Sequence, residues 1–264
     1  ERQATSMSTH GVHANCIEDM WLAAIEIARR AGGDRGCLGL FGPDTPPLAA
    51  KPNRLIVLET AGWAILDDAS KSAFEALLEN LQQAGVTLLR RKDNALVEKL
   101  EQAIVEAPAI CNAITRWENH WAQRNLVDQK GEFVSDRLKA GLAQAEAMSP
   151  DDYRAALLAR EAAQRCHDAV GLLADAAITL SCPGPAPLWP GDIQGQPLAA
   201  RPTGDAIFNT PSSMLFAPCV TMPLLAVGGM PLGVQVTGQQ HQDAQMTAIA
   251  RWMLDTMEPI IMGS

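Results

Sequence analysis

No apolar run in the 264-residue chain approaches the roughly 18 residues of a membrane-spanning helix. The opening "ERQATSMSTHG" also lacks the apolar core of a signal peptide. These absences predict a cytoplasmic protein with no membrane partner. Cations are scarce as well: 21 Lys and Arg stand against 30 Asp and Glu, a net charge of −9. Binding to nucleic acid needs clustered Lys and Arg that release counterions, so no nucleic-acid partner is expected. The six cysteines (Cys16, Cys37, Cys111, Cys166, Cys182 and Cys219) form no CxxC and no Cys/His cluster at metal-ligand spacing. They read as reduced, mostly buried thiols. The five histidines make no HExxH. His10 and His13 lie three apart but lack a third ligand nearby, and read as surface histidines. Internal repeats and low-complexity segments are missing too.

What is present suits a folded α/β protein. A hydrophobic fraction of 47% with 19% charge can bury a large core, enough for one sizeable domain or two small ones. "IEDMWLAAIEIARRA" (17–31) carries Trp21, Ile25 and Ala28 at helical spacing, with Gly32 and Gly33 as a stop. Glu18 and Asp19 point in different directions and read as charges favoured by the helix dipole. "CLGLFGPDTPPLAAKPN" supports neither period and reads as a surface connection. From Arg54 to about 90, "RLIVLETAGWAILDDASKSAFEALLENLQQAGVTLLRR" predicts strand (54–59), helix (about 70–84) and strand (86–89). Phe74, Leu77, Leu78 and Leu81 share one helical face, Asp67, Asp68 or Ser70 can cap its start, and Gly85 suits its C′ position. This is a βαβ unit, so its two strands should be parallel.

Residues 93–126 are helical in pattern, with Pro108 expected to end or kink a helix near Ala107. Trp117 and Trp121, four apart, predict a packing face. Ser149-Pro150-Asp151-Asp152 supplies an N-cap, a Pro at N1 and two carboxylates at the positive end of a helix running to about Leu173. "DAAITLSCPGPAPLWPGD" reads as a short buried strand that opens into a Pro/Gly-rich loop, where α/β proteins usually place ligands. Near the end, "GGMPLGVQVTG" (228–238) precedes a strand rather than a helix, so its glycines are not a dinucleotide loop. Gly228-Gly229 instead predicts a hairpin turn, and a terminal helix should start near Asp243. Ser212-Ser213 follow Pro211 without an adjacent base or Gly-rich oxyanion turn, and read as cap or turn residues.

Four segments in order resemble the amidase signature family. "GGMPLGVQVTG" with "QQHQDAQMTAIARWM" is similar to its G-x-P-x-G-x-Q-x-x-G strand and following D-x-x-L-L-x-x-A helix. "FNTPSSMLFAPCVTMP" resembles its FN-x-P-x-x-x-x-G-x-P-A-x-x-x-P segment, with Ala217 in place of Gly and Cys219 in place of Ala. "DAAITLSCPGPAP" is similar to D-x-L-L-T-P-T-x-P-x-P-A-P, with Leu180 at the first Pro. "SMSTHGVHANCIEDMWLAAIEIA" resembles the S-x-D-T-x-G segment, with Ser8 in place of Asp and Asn15 in place of Arg.

The resemblance implies an amidase-type mixed sheet flanked by helices, and a serine hydrolase of carbon–nitrogen bonds that needs no cofactor and no metal. It also implies a small-molecule amide substrate. If this chain touches it, the resemblance favours the loop after strand 175–181, with Ser181, Cys182 and Trp189; ordinary packing at the strand end is the alternative. The family's Ser-Ser-Lys triad sits in and before a Gly/Ser-rich "GGSSGG"-like run that precedes the S-x-D-T-x-G segment. No such run occurs in residues 1–264, and the S-x-D-T-x-G match already occupies residues 6–11. Residues 1–264 are therefore expected to be a single α/β domain or partial domain, the carboxyl-terminal portion of an amidase, in keeping with Glu1 as first residue. Two functions follow: part of an amide hydrolase completed by the missing amino-terminal half, or a non-catalytic fragment, split subunit or degenerate paralogue acting through protein contacts. Either way the isolated chain should self-associate or be poorly soluble.

Overall fold

The computed structural model describes residues 4–32, 39–40, 42–188, 191 and 204–263. Trp189, Cys37 and part of the connection after the first helix lie outside the described residues. Six strands form one mixed sheet: β1 (Arg54–Val57), β2 (Thr87–Leu89), β3 (Ala176–Leu180), β4 (Cys219–Val227), β5 (Met230–Thr237) and β6 (Ile260–Met262). Their spatial order is β2-β1-β3-β5-β4-β6. The strands β2, β1 and β3 run parallel, β5 is antiparallel to both β3 and β4, and β6 is parallel to β4.

Eight helices accompany the sheet among the described residues: α1 (Ile17–Ala31), α2 (Asp68–Gln83), α3 (Ala95–Ile104), α4 (Ala107–Lys130), α5 (Asp136–Glu146), α6 (Pro150–Val170), α7 (Thr210–Leu215) and α8 (Asp243–Thr256). The βαβ unit stands as its sequence predicts. Asp67 caps α2 by accepting from Ser70 N at 2.7 Å. At the other end Gly85 adopts φ +84°, and the N–H groups of Gly85 and Val86 return to the carbonyls of Gln82 and Leu81. That is a Schellman ending, which needs the left-handed residue glycine supplies. The first strand is shorter than 54–59, because after Leu58 the backbone turns at Thr60, a non-glycine residue at φ +55°.

The strands are apolar on both faces because helices cover both. Leu55, Val57, Ile178, Leu180, Val220, Met222, Val234 and Val236 face α2 and α8, meeting Phe74, Leu77, Leu81, Met246, Ile249 and Met253. Ile56, Leu58 and Ala177 face the other way, toward Val97 and Leu100 of α3, Ala163 and Val170 of α6, and Met214 of α7. Each of the fully buried Leu and Phe side chains contributes about 1.5–3 kcal/mol by leaving water. The alternation of sides along β1 and β3 explains why both read as continuous apolar runs.

The helical pattern does break beside Pro108, between the end of α3 at Ile104 and the start of α4 at Ala107; the proline itself sits in the first turn of α4, where its missing N–H costs nothing. Ser149 and Asp152 form a reciprocal capping box on α6. Gly228 and Gly229, at φ +57° and +76°, make the two-residue turn between β4 and β5. Positive φ at both positions matches the twist of the flanking strands.

Two expectations fail. Trp117 stacks on Tyr153 at 5.5 Å, but Trp121 is 71% exposed, so the pair is not one packing face. Trp121 lies on the side of α4 that faces solvent. The thiols are also less buried than expected: Cys111 is buried, Cys166 and Cys182 are intermediate, and Cys16 and Cys219 are exposed.

One edge of the sheet stays open. Among the described residues, no strand pairs with 219–224 of β4 on the side away from β5, since β6 reaches only Leu225–Val227. Cys219, Thr221 and Pro223 are exposed there, while Val220 and Met222 between them are buried.

Candidate functional site

The carboxyl ends of β1 and β3 lie side by side, because the two strands are parallel neighbours. The loop after β1 is held by a buried carboxylate. Glu101 of α3, 1% exposed, accepts from Glu59 N at 2.6 Å and Thr60 N at 3.0 Å. Burial outweighs those two bonds and the nearby Arg91, and pushes its pKa up to about 6. Thr60 Oγ1 accepts from Gly62 N at 3.0 Å and starts a 3-10 turn over Ala61–Ile65. Gly62 lies directly under the ring of Phe208: a Cβ there would stand 2.4 Å from Cε2.

The loop after β3 begins with Ser181, whose N–H donates to Gly233 O at 2.9 Å and so prolongs the ladder with β5. Gly233 is required here, since a Cβ on it would fall 2.3 Å from Ser181 Oγ. Ser181 Oγ donates to Cys182 Sγ at 3.7 Å, and the Cys182 thiol donates to Gly184 O at 3.2 Å. Gly184 then passes over the start of α2, with Asp67 Oδ2 3.5 Å from where its Cβ would be. The structure thus brings Ser181 and Cys182 together, both partly buried, at the sheet end. Trp189, the third residue singled out, lies outside the described residues. The hydroxyl and thiol bond to each other and to a carbonyl, not to a base that would activate a nucleophile.

Other candidates resolve as their plainer readings. Ser212 Oγ donates to Asn209 O at 2.9 Å within the first turn of α7. His10 and His13 are both exposed. Among the described residues, no group of three or more His, Cys, Asp or Glu is placed to hold a metal ion. No helix among them is long and apolar enough to cross a membrane.

Much of the local order is carried by Gln235, which the sequence marked only as the Gln of its G-x-P-x-G-x-Q-x-x-G match, and by residues it did not single out. Gln235 of β5, 1% exposed, donates through Nε2 to Leu180 O at 3.1 Å and Phe208 O at 2.9 Å. Its Oε1 accepts from the Cys219 thiol at 2.7 Å. Although Cys219 is exposed as a residue, burial of its thiol pushes its pKa up to about 11, so it stays a donor. Its signal in the sequence was its place in the G-x-P-x-G-x-Q-x-x-G match, which gave it no role. Farther off, Glu118 accepts from Ser6 N at 2.8 Å and from Tyr153 OH at 2.9 Å, and Arg160 donates to Ser6 Oγ at 2.9 Å. This network pins Ser6 to α4 and α6.

A family model described as Amidase matches residues 1–247. The chain belongs to the amidase family. Among curated proteins, a 2-amino-5-chloromuconic acid deaminase of Comamonas testosteroni is 27% identical over 253 residues, covering 94% of the amidase chain and 51% of that protein. A crystal structure of an amidase superposes with a TM-score of 0.68 at 21% identity, covering 81% of this chain and 48% of that one. A fatty acid amide hydrolase does so with a TM-score of 0.66 at 13% identity, covering 92% and 47%. The two solved structures share the fold. The amidase chain spans about half the length of each of these relatives.

Proposed function

We propose that this chain is the carboxyl-terminal half of an enzyme that hydrolyses amide bonds through a serine acyl-enzyme. The carrying observation is the amidase-family match over residues 1–247 on a chain that spans 51% of its curated relative. The Gly/Ser-rich run that bears the nucleophile in this family is missing from residues 1–264, so serine, bridging serine and lysine come from the other half. In the complete enzyme a serine attacks the amide carbonyl, backbone donors stabilise the oxyanion, the amine leaves, and water releases the acyl group. This chain contributes the βαβ unit, much of the sheet and a wall of the pocket. Ser181 and Cys182 stand on the substrate side of that wall, and the family resemblance adds Trp189 to them. The curated relative is named as a deaminase, which also breaks a carbon–nitrogen bond, so a small amide or amine-bearing acid is the substrate class.

A fluorophosphonate that traps activated serines tests this. In the natural polypeptide carrying this chain, one serine outside residues 1–264 should be labelled, and aryl or alkyl amides should be hydrolysed. Labelling inside residues 1–264, or turnover at an enzymatic rate by the isolated chain, would overturn the division of labour.

The open β4 edge at residues 219–224 supports a second reading, in which the chain acts through protein contacts as a non-catalytic product or one part of a split enzyme. On either reading the edge is covered, by the missing half or by a second copy. Sedimentation of the isolated chain should then show a dimer or larger species, and a clean monomer counts against self-association.

A further inference from the structure

Gln235 spends both of its donors and its carbonyl oxygen on three different segments. A carboxamide has two N–H donors and one carbonyl. Here the donors go to Leu180 O, the last residue of β3, and to Phe208 O, on the far side of the connection that leads to α7. The carbonyl takes the thiol of Cys219, the first residue of β4. The partners lie 55, 27 and 16 residues away in the chain. The amide's orientation is settled by these partners, since a flipped group would set its oxygen against two carbonyls.

The backbone N–H groups around Phe208 bond locally. Asn209 and Thr210 N–H both donate to Ala206 O, closing a turn upon itself. Gln235 adds a hydrogen bond from the sheet. Phe208 in turn carries its ring over Gly62, so the loop after β1 is set by the same group. An apolar residue of equal length would fill the site, but two buried carbonyls would lose their donor, at about 1–3 kcal/mol each.

Building on the amidase reading of the loop after β3, we propose that Gln235 is a positioning residue: it ties both ends of the connection between β3 and α7, and thereby fixes where Ser181 and Cys182 stand against substrate. It does not touch the substrate itself.

Hydrogen exchange on the isolated chain tests the tie without any need for turnover. In Gln235→Met, peptides covering 181–188 and 204–210 should lose protection by about tenfold or more, as expected for an unpaired buried carbonyl. Peptides over the βαβ unit, 54–89, should exchange as in the parent. Cys219→Ala keeps both donors and should leave both ends protected. A uniform loss across the sheet, unchanged protection at either end, or a Cys219→Ala effect equal to that of Gln235→Met would each overturn the proposal. If Gln235→Met fails to fold, the parent protein decides: its Gln235 side-chain amide protons should be slow to exchange, and exchange as fast as an exposed glutamine sinks the idea. In the active natural polypeptide, Gln235→Met should lower kcat/KM about tenfold or more, with Cys219→Ala within about twofold. Equal losses for both variants would overturn the positioning role. An inactive parent would count only against the amidase reading, because the exchange result stands apart from catalysis.

Discussion

Replacing Gly62 by Ala adds a single methyl group where the loop after β1 meets Phe208. The new Cβ would lie 2.4 Å from Cε2, 2.6 Å from Cζ and 2.8 Å from Cδ2 of the ring. Carbon atoms in contact sit about 3.5–4.0 Å apart, so the ring must retreat by about 1 Å. Phe208 is 1% exposed, and its carbonyl is held by Gln235 at 2.9 Å, so it has little room to give. Overpacking of this kind costs about 1–3 kcal/mol. Gly62 is not in the left-handed region, so Ala recovers about 0.4–1 kcal/mol by restricting the unfolded chain. The net expectation is a loss of about 1–2 kcal/mol. For 264 residues the unfolding entropy near the midpoint is about 0.55 kcal/mol/K, so Tm should fall by about 2–4 °C. Thermal or urea unfolding of Gly62→Ala, Phe208→Leu and the double variant measures it. Leu lacks the ring atoms that clash, so the second change should recover at least half the cost of the first. Strictly additive losses, or a Gly62→Ala chain more stable than the parent, would refute the steric reasoning.

Glu101 prefers its protonated form in the folded chain, so folding stability should be lost as pH rises from the ordinary value of 4.5 through about 6. The full effect is about 2 kcal/mol. Glu101→Gln should flatten this part of a urea-midpoint profile, and an unchanged slope would count against it. Burial of His167 works in the opposite direction: its pKa lies below the usual 6.5, so stability should be lost as pH falls below that value, and an NMR titration midpoint at or above 6.5 would contradict this. Ser149→Ala removes the capping box of α6 and should cost about 1 kcal/mol in unfolding measurements. At Gly229, φ +76°, Val should destabilise the β4–β5 hairpin more than Asn does, because Asn tolerates the left-handed conformation; equal melts for the two would show that the turn has rearranged.

Local order was legible in the residues because its causes are local. The 3.6-residue spacing of Phe74, Leu77, Leu78 and Leu81 set the buried face of α2, and Asp67 and Gly85 marked its two ends. Paired glycines at 228 and 229 announced a hairpin because few other residues accept two positive φ angles in a row. The strand-end loop bearing Ser181 and Cys182 was legible for the same reason: an apolar run broken by Pro and Gly ends a strand. Trp121 misled, because helical spacing shows which residues share a side but not whether anything covers that side. Pro108 marked the break between α3 and α4 but not the side of it on which the proline sits, since one residue can close a helix or open the next.

The sequence alone marked α1, α2, the helical stretch of α3 and α4, α6 and α8, the βαβ unit and the resemblance to the amidase family. The helices and the βαβ unit are each encoded within a few tens of residues, and the resemblance in four short segments spread along the chain. Only the tertiary structure decided that β5 inserts between β3 and β4, that Glu101 holds the loop after β1, and that Gln235 gathers Leu180, Phe208 and Cys219. Those contacts join residues far apart in the chain, and no local propensity chooses among distant partners. They are chosen by burial: once helices cover both faces of the sheet, a buried carboxylate or amide must bond whatever backbone the packing brings to it.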